Sequence, residues 1–193
     1  MTSEMAFSLE ERELEKVCSK LGIPASIVGA YSKLNITHMY EWQVQCLYQT
    51  NVIQGSNLVY CAPTSGGKTM VAELVLLKSC IVSRKISLFV LPFISLIKEK
   101  EVHLSNMVRG YNKTVAKTDR VRVKGYYGER SSRMIKENII LCTIEKANII
   151  LNQLLELGQR KGDNHVMVGA VVIDEMHLCG DPSRGYLLEL LVR

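Results

Sequence analysis

The segment Ala62-Pro63-Thr64-Ser65-Gly66-Gly67-Lys68-Thr69 sets two glycines, a lysine and hydroxyl side chains next to one another, the residue types that phosphate binding needs. Gly66 and Gly67 bring no Cβ to block a close approach of the backbone. Lys68 supplies a compact positive charge for outer phosphates, and the Thr69 hydroxyl is placed to coordinate Mg2+. The run before the loop, Asn57-Leu58-Val59-Tyr60-Cys61, is apolar and β-branched and predicts a short buried strand. After it, Val71, Leu74 and Val75 recur at helical spacing, which predicts a helix starting at once after Lys68 and Thr69. The first N–H groups of such a helix, and the positive end of its dipole, point into the loop and favour a phosphate there. Ala62 stands where the usual pattern has glycine; a methyl group at the loop entrance removes no phosphate-binding atom.

A second constellation completes the first. Val168-Gly169-Ala170-Val171-Val172-Ile173 is a continuous apolar run, as expected of a parallel strand buried on both faces, and Asp174-Glu175-Met176-His177 follows it directly. The carboxyl end of a strand is where open α/β sheets place ligands. Asp174 can hold Mg2+ through its water shell, and Glu175 can orient and deprotonate an attacking water. Lys68, Asp174, Glu175 and His177 are therefore the catalytic candidates. A histidine alone is more often structural than functional. Within Asp-Glu-Met-His, His177 gains a role that links the nucleotide site to nucleic acid.

These two motifs together resemble the superfamily-two helicases of the DExH type. Tyr40-Glu41-Trp42-Gln43 resembles the glutamine motif of that group, which reads adenine. A carboxamide can pair with both N6 and N7 of adenine, so Gln43 is the base-reading candidate, with Tyr40 or Trp42 as stacking or packing partners. Further along, Leu91-Pro92-Phe93-Ile94-Ser95-Leu96, Cys142-Thr143-Ile144-Glu145-Lys146-Ala147-Asn148 and the segment 180–191 are similar to the helicase-like domains of the DNA polymerase theta family. They are less close to the stand-alone polymerase-theta-like helicases and their archaeal relatives. The resemblance runs from about Leu21 to the end of the chain. It implies an ATP-dependent motor on single-stranded or partly duplex DNA, engaged in repair of broken or stalled DNA in the nucleus. It also implies that Pro92, Phe93, Ser95, Lys98, Thr143 and Lys146 face the nucleic acid.

The residues themselves agree with that placement. Each segment follows an apolar run, so each lies near the carboxyl edge of one sheet, where Ser95, Thr143 and Lys98 could hold phosphates without reading sequence. A helix-capping Thr143 and a solvated Lys98 are the alternative readings. The formal net charge of +5 and a pI near 8.9 favour a polyanionic partner. Most of that excess lies between Arg109 and Lys136, a DNA-facing surface or a solvated loop around a strand at 121–127. There Tyr111, Tyr126 and Tyr127 are either stacking faces or packing residues.

Composition sets the remaining bounds. With 47% hydrophobic residues, 193 residues suffice for one good core. The 6 cysteines contain no CxxC pair and no metal-ligand spacing, which fits a reducing compartment and mostly buried thiols. No apolar run approaches the ~20 residues needed to cross a bilayer, so an intracellular, soluble protein without a membrane partner is expected.

The elements that must position these residues follow from periodicity. Residues 8–20 predict an amphipathic helix with Leu9, Leu14 and Val17 on one side and a Ser8–Glu11 capping box. Gly22-Ile23-Pro24 ends it, and a second helix is expected from Pro24 to about Lys33. Strands near Asn57, Ser87, Val121, Asn138 and Ala170 then alternate with helices, one of them at about 145–158. The fold class is α/β: a P-loop NTPase, RecA-like parallel sheet flanked by helices. Residues 1–36 read as a helical lead-in and 37–193 as a first RecA-like, ATP-binding domain truncated after Asp-Glu-Met-His.

The resembling helicases continue with a strand carrying a Ser/Thr-Ala-Thr motif and then a second RecA-like domain that supplies arginines to the nucleotide. Neither is in this chain. That strand normally lies between the phosphate-loop strand and the Asp-Glu strand. Its absence predicts a gap in the sheet, with unpaired backbone groups that cost about 1–3 kcal/mol each if buried. A piece of a longer polypeptide, or a short product completed by another segment, is the expectation. Three functions follow in order: the nucleotide-binding half of a DNA helicase, a non-enzymatic nucleic-acid-binding module, and an RNA helicase of the same superfamily. Neither unwinding direction nor oligomeric state is legible.

Overall fold

Four of the five expected strands form. The computed structural model describes residues 7–48, 50–63, 66–128, 135–160 and 168–192. In it β1 (Ile86–Leu91), β2 (Val123–Tyr126), β3 (Ile139–Thr143) and β4 (Val168–Ile173) pair in parallel in the order β2-β3-β1-β4. The helices are α1 (Leu14–Leu21), α2 (Ala25–Ser32), α3 (Glu41–Tyr48), α4 (Lys68–Ile81), α5 (Ile94–Thr114), α6 (Ile144–Arg160) and α7 (Gly185–Val192). This is the α/β, RecA-like architecture expected.

The inner strands explain why the sheet holds. Leu88 pairs with Ile140 and Phe89 with Leu141, so successive side chains point to opposite faces. Phe89, Leu91, Ile139 and Leu141 join a core with α4 and α5; Leu88, Val90, Ile140 and Cys142 join another with α6 and Leu188. α1 and α2 belong to the first core, where Leu14, Val17, Ile27 and Tyr31 lie with Leu74 and Leu77 of α4.

Two expectations about strands fail. Residues 57–61 form no strand, and Val59 is 87% exposed. β4 is an edge strand with no partner on its outer side among the described residues; 57–61 does not pair with that open edge and so builds no ladder. β4 is likewise not buried on both faces; Val171 is 39% exposed, because one side of it lacks a covering strand.

The first helix is shorter than expected. Ser8 and Glu11 do form the reciprocal cap, at 2.9 and 3.2 Å, but Leu9 is exposed and the helix starts at Leu14. The chain is extended at Glu13, because residues 12–14 pair instead with 37–39: Leu14 N donates to Thr37 O and Met39 N to Arg12 O. α2 and α6 follow their expected spans closely. Cys18, Cys80 and Cys142 are buried, and burial pushes their thiols up to about 12. Cys61 is exposed, Cys46 and Cys179 are half-buried, and none forms a disulfide. Among the described residues no helix is long and apolar enough to cross a membrane.

A carboxylate is among the polar groups buried in this core. Glu73 of α4, 3% exposed, accepts from the Tyr31 hydroxyl of α2 at 2.9 Å and faces His103 at 3.2 Å and Lys100 at 3.7 Å on α5. Burial, reinforced by the Glu73 carboxylate, holds the Tyr31 phenol well above its usual range, so it remains a donor. Glu73→Ala strands that buried hydroxyl, and the expected loss is about 1–3 kcal/mol. Urea unfolding should show a lower midpoint at an unchanged slope; an unchanged midpoint would contradict the assignment.

Candidate active site

The phosphate loop is shaped by its glycines and closed by its lysine. Gly67 precedes α4 with φ +79°, a left-handed conformation that suits glycine. A Cβ built there would lie 2.6 Å from Gln43 Nε2, and one on Gly66 would lie 2.9 Å from Pro63 O. The cradle is therefore one that any larger residue would fill. Lys68 Nζ donates to Ala62 O at 2.7 Å and Pro63 O at 3.1 Å, which holds the ammonium over the loop. Thr69 follows in the first turn of α4, half-buried. Thr64 and Ser65 lie outside the described residues.

Gly67→Ala tests the cradle. The left-handed backbone alone costs a residue with a Cβ about 1–2 kcal/mol, and the Gln43 amide must also move. A lower melting temperature together with weaker binding of a fluorescent ATP analogue is expected; wild-type behaviour in both would refute the geometry.

Gln43 has a function here that spacing alone does not reveal. It is 2% exposed; its Oε1 accepts from Tyr40 N at 2.7 Å, and its Nε2 donates to Gly67 O at 2.8 Å. The amide thus ties the start of α3 to the loop. Tyr40 is 60% exposed and lies against Gly67, while Trp42 packs on Tyr60 with ring centroids 5.8 Å apart.

Tyr60, expected inside a strand, instead braces the start of α4. Its hydroxyl donates to Lys68 O at 2.8 Å. Burial first, then the neighbouring Cys46 and Asp174, push its phenol up to about 12. The loop opens α4 and the acidic pair ends β4, and these two elements pack against each other.

The acidic pair sits at the carboxyl end of β4. Asp174 N continues the ladder to Val90 O at 3.0 Å, and Asp174 Oδ1 accepts from Glu175 N at 3.1 Å. Glu175 itself adopts φ +57° at the start of a 3-10 turn, Met176–Gly180. This unusual backbone for a non-glycine residue directs the carboxylate to the exposed side, where Oε2 lies 3.1 Å from His177 Nδ1. A glycine cradle that excludes any Cβ, an ammonium over it, a hydroxyl in the next turn and carboxylates at the end of the strand on which α4 packs are the groups that suit a magnesium-bound nucleoside triphosphate.

The other candidates line the same sheet edge unevenly. Phe93 is 57% exposed, Ser95 and Lys98 are exposed, and Lys98 Nζ lies 5.7 Å from the centre of the Tyr127 ring. Pro92 is buried, Thr143 is 8% exposed at the junction of β3 and α6, and Lys146 is half-buried. Tyr111 and Tyr126 are core residues, at 5% and 7% exposure, so they offer no open stacking face. Arg184 has a part in this edge that sequence reasoning missed. Its guanidinium donates to Pro92 O at 3.2 Å and pairs with Glu145 at 3.4 Å. It thereby pins the loop before α7 to both segments expected to face nucleic acid. A lone arginine after Asp181 carries no pattern from which this could be read.

Comparison with known proteins agrees with the geometry. The family model described as DEAD/DEAH box helicase matches residues 41–193. The chain is 42% identical over 173 residues to DNA polymerase theta of Mus musculus, covering 89% of this chain and 6% of that protein. It is 32% identical over 188 residues to Helicase POLQ-like of Homo sapiens, covering 95% of this chain and 16% of that protein. ATP-dependent DNA helicase Hel308 of Pyrobaculum calidifontis is 28% identical over 175 residues, 90% of this chain and 22% of that protein. The chain therefore spans less than a quarter of each of these relatives. Among solved structures, DUF1998 helicase MrfA bound to DNA has a TM-score of 0.59 at 21% identity, covering 81% of this chain and 22% of that one, a likeness of fold.

Proposed function

Belonging to the DEAD/DEAH box helicase family, this chain is, we propose, the nucleotide-binding half of an ATP-driven motor on single-stranded or partly duplex DNA. The observation that carries the reading is the glycine loop at the start of α4 together with the acidic pair at the carboxyl end of β4, on two elements that pack against each other. ATP would lie in the loop 62–69, and for Gln43 to read its base the buried amide must exchange its bonds to Tyr40 N and Gly67 O for bonds to adenine. Thr69 and Asp174 would hold Mg2+, which when bound neutralises charge on the outer phosphates. Lys68 stabilises the negative charge on the transferred phosphoryl group. Glu175 takes the proton of the attacking water, and His177 holds that carboxylate in place.

Phe93, Ser95, Lys98, Thr143 and Lys146 would carry the DNA backbone across the same edge, with Pro92 shaping the turn, braced by Arg184. The domain division at residue 37 belongs to this proposal, as does a second RecA-like domain supplying arginines. Loss of such an arginine commonly costs about 10³–10⁵ in rate, so the chain alone should hydrolyse ATP poorly. The names of its relatives, a DNA polymerase and a helicase, support a setting in DNA metabolism, and nuclear DNA repair is part of this proposal.

The test is ATP turnover with and without single-stranded DNA, for this chain and for the same chain followed by the second domain. Turnover stimulated by DNA in the longer protein supports the motor. Absence of turnover in both, with DNA binding intact, would leave a nucleic-acid-binding module instead.

A further inference from the structure

A cluster of basic residues gathers at the edge of the sheet opposite the active site. The amino ends of β1, β2 and β3 are held together by Asn138: its O accepts from Ser87 N at 2.8 Å, and its N donates to Arg122 O at 3.0 Å. Arg122 Nε donates to Lys136 O at 2.8 Å. The end of α5 is fastened to the same place, since Asn112 bonds both N and O of Val121 at 2.8 Å. Arg84, before β1, reaches Asp119 at 3.5 Å. These bonds assemble Arg84, Lys113, Lys117, Arg120, Arg122 and Lys136 on one rim, all exposed.

Two carboxylates stand among them, and both are engaged. Asp119 pairs with Arg84, and Glu137 accepts from the Tyr126 hydroxyl at 2.7 Å. The rim thus carries an excess of four positive charges, set against a formal net of +5 for the whole chain. A strand of six residues separates it from the carboxyl edge, roughly 20 Å. The exposed large apolar side chains lie elsewhere, Val82 beside Arg84 excepted. A protein interface needs an apolar centre; binding to a phosphate backbone needs only cations and polar donors at its surface.

We propose that this amino-terminal rim is a second nucleic-acid surface, one that holds the backbone of single-stranded DNA without regard to sequence. It is separate from the strand path across the carboxyl edge and does not depend on nucleotide binding. A DNA strand leaving the motor edge can then be retained by the same domain, which raises its local concentration at the active edge.

The experiment is titration of fluorescein-labelled oligothymidylate, followed by anisotropy at several salt concentrations, with the triple variant Lys113→Glu, Arg120→Glu, Lys136→Glu beside Lys98→Glu. The triple variant should weaken binding at least tenfold at low salt. Its plot of log affinity against log salt should flatten by about two, since each phosphate that is no longer neutralised takes about 0.7 from the slope. A triple variant that binds with wild-type affinity and slope would overturn the proposal, whatever Lys98→Glu does. Should the charge reversals disturb folding by circular dichroism, the Gln versions of the same three positions give the same reading with a smaller change. DNA binding abolished only in Lys98→Glu would restrict nucleic acid to the motor edge and refute the rim.

Discussion

Glu175→Gln is expected to lower DNA-stimulated ATP turnover by about 10²–10⁴-fold, the usual contribution of a positioned general base. The amide keeps the size of the carboxylate but cannot take a proton from water. Glu175 lies on the exposed side of a left-handed residue and contacts His177, so the substitution disturbs no core packing. ATP affinity should stay within a few-fold of wild type, because ground-state binding rests on the loop 62–69 and Lys68. Steady-state turnover and analogue binding, measured on the chain joined to the second domain, separate the two quantities. Turnover close to that of wild type would remove Glu175 from the reaction. Equal losses in binding and turnover would assign it to nucleotide retention instead.

Phe89→Ala should cost about 3–5 kcal/mol of folding stability. Phe89 is 1% exposed on inner strand β1, between Leu141 of β3 and Val172 of β4, and its ring enters the core shared with α4 and α5. Removing it leaves a cavity that two paired neighbours prevent from collapsing. Domains are stable by only about 5–15 kcal/mol, so this single change takes a large share. Phe93, four residues on, is 57% exposed, and Phe93→Ala should change stability by no more than about 0.5 kcal/mol. Urea unfolding of the pair distinguishes burial from residue type. A similar loss at both positions would mean that β1 is misplaced.

The motifs of the candidate site stand out in the sequence because their signals are local. The glycines and Lys68 sit within one loop, and the Asp-Glu pair directly follows its strand. The helix after the loop and strands β1 to β4 each carry their own periodicity. Sequence reasoning went astray where an element depends on a distant neighbour. Residues 57–61 have the composition of a strand, but composition does not dock a segment on an edge, and they leave the outer side of β4 unpaired. Residues 8–12 have a capping box and helical spacing, yet pairing of 12–14 with 37–39 delays the helix. Tyr111 and Tyr126 sit in a basic stretch that suggests exposed stacking faces, and packing against the sheet buries both.

By itself the sequence determined which chemistry is available: a phosphate cradle, an acidic pair at a strand end, and a family of helicases that shares both. Composition and short-range spacing suffice for that, since each motif's residues are neighbours along the chain. Only the tertiary structure decided how they cooperate. It buried Gln43 against Gly67, bonded Tyr60 to Lys68, pinned Pro92 and Glu145 with Arg184, and gathered an excess of positive charge on the opposite rim. These are contacts between residues up to 92 positions apart, and packing brings such partners together without leaving any periodic trace in the order of residues.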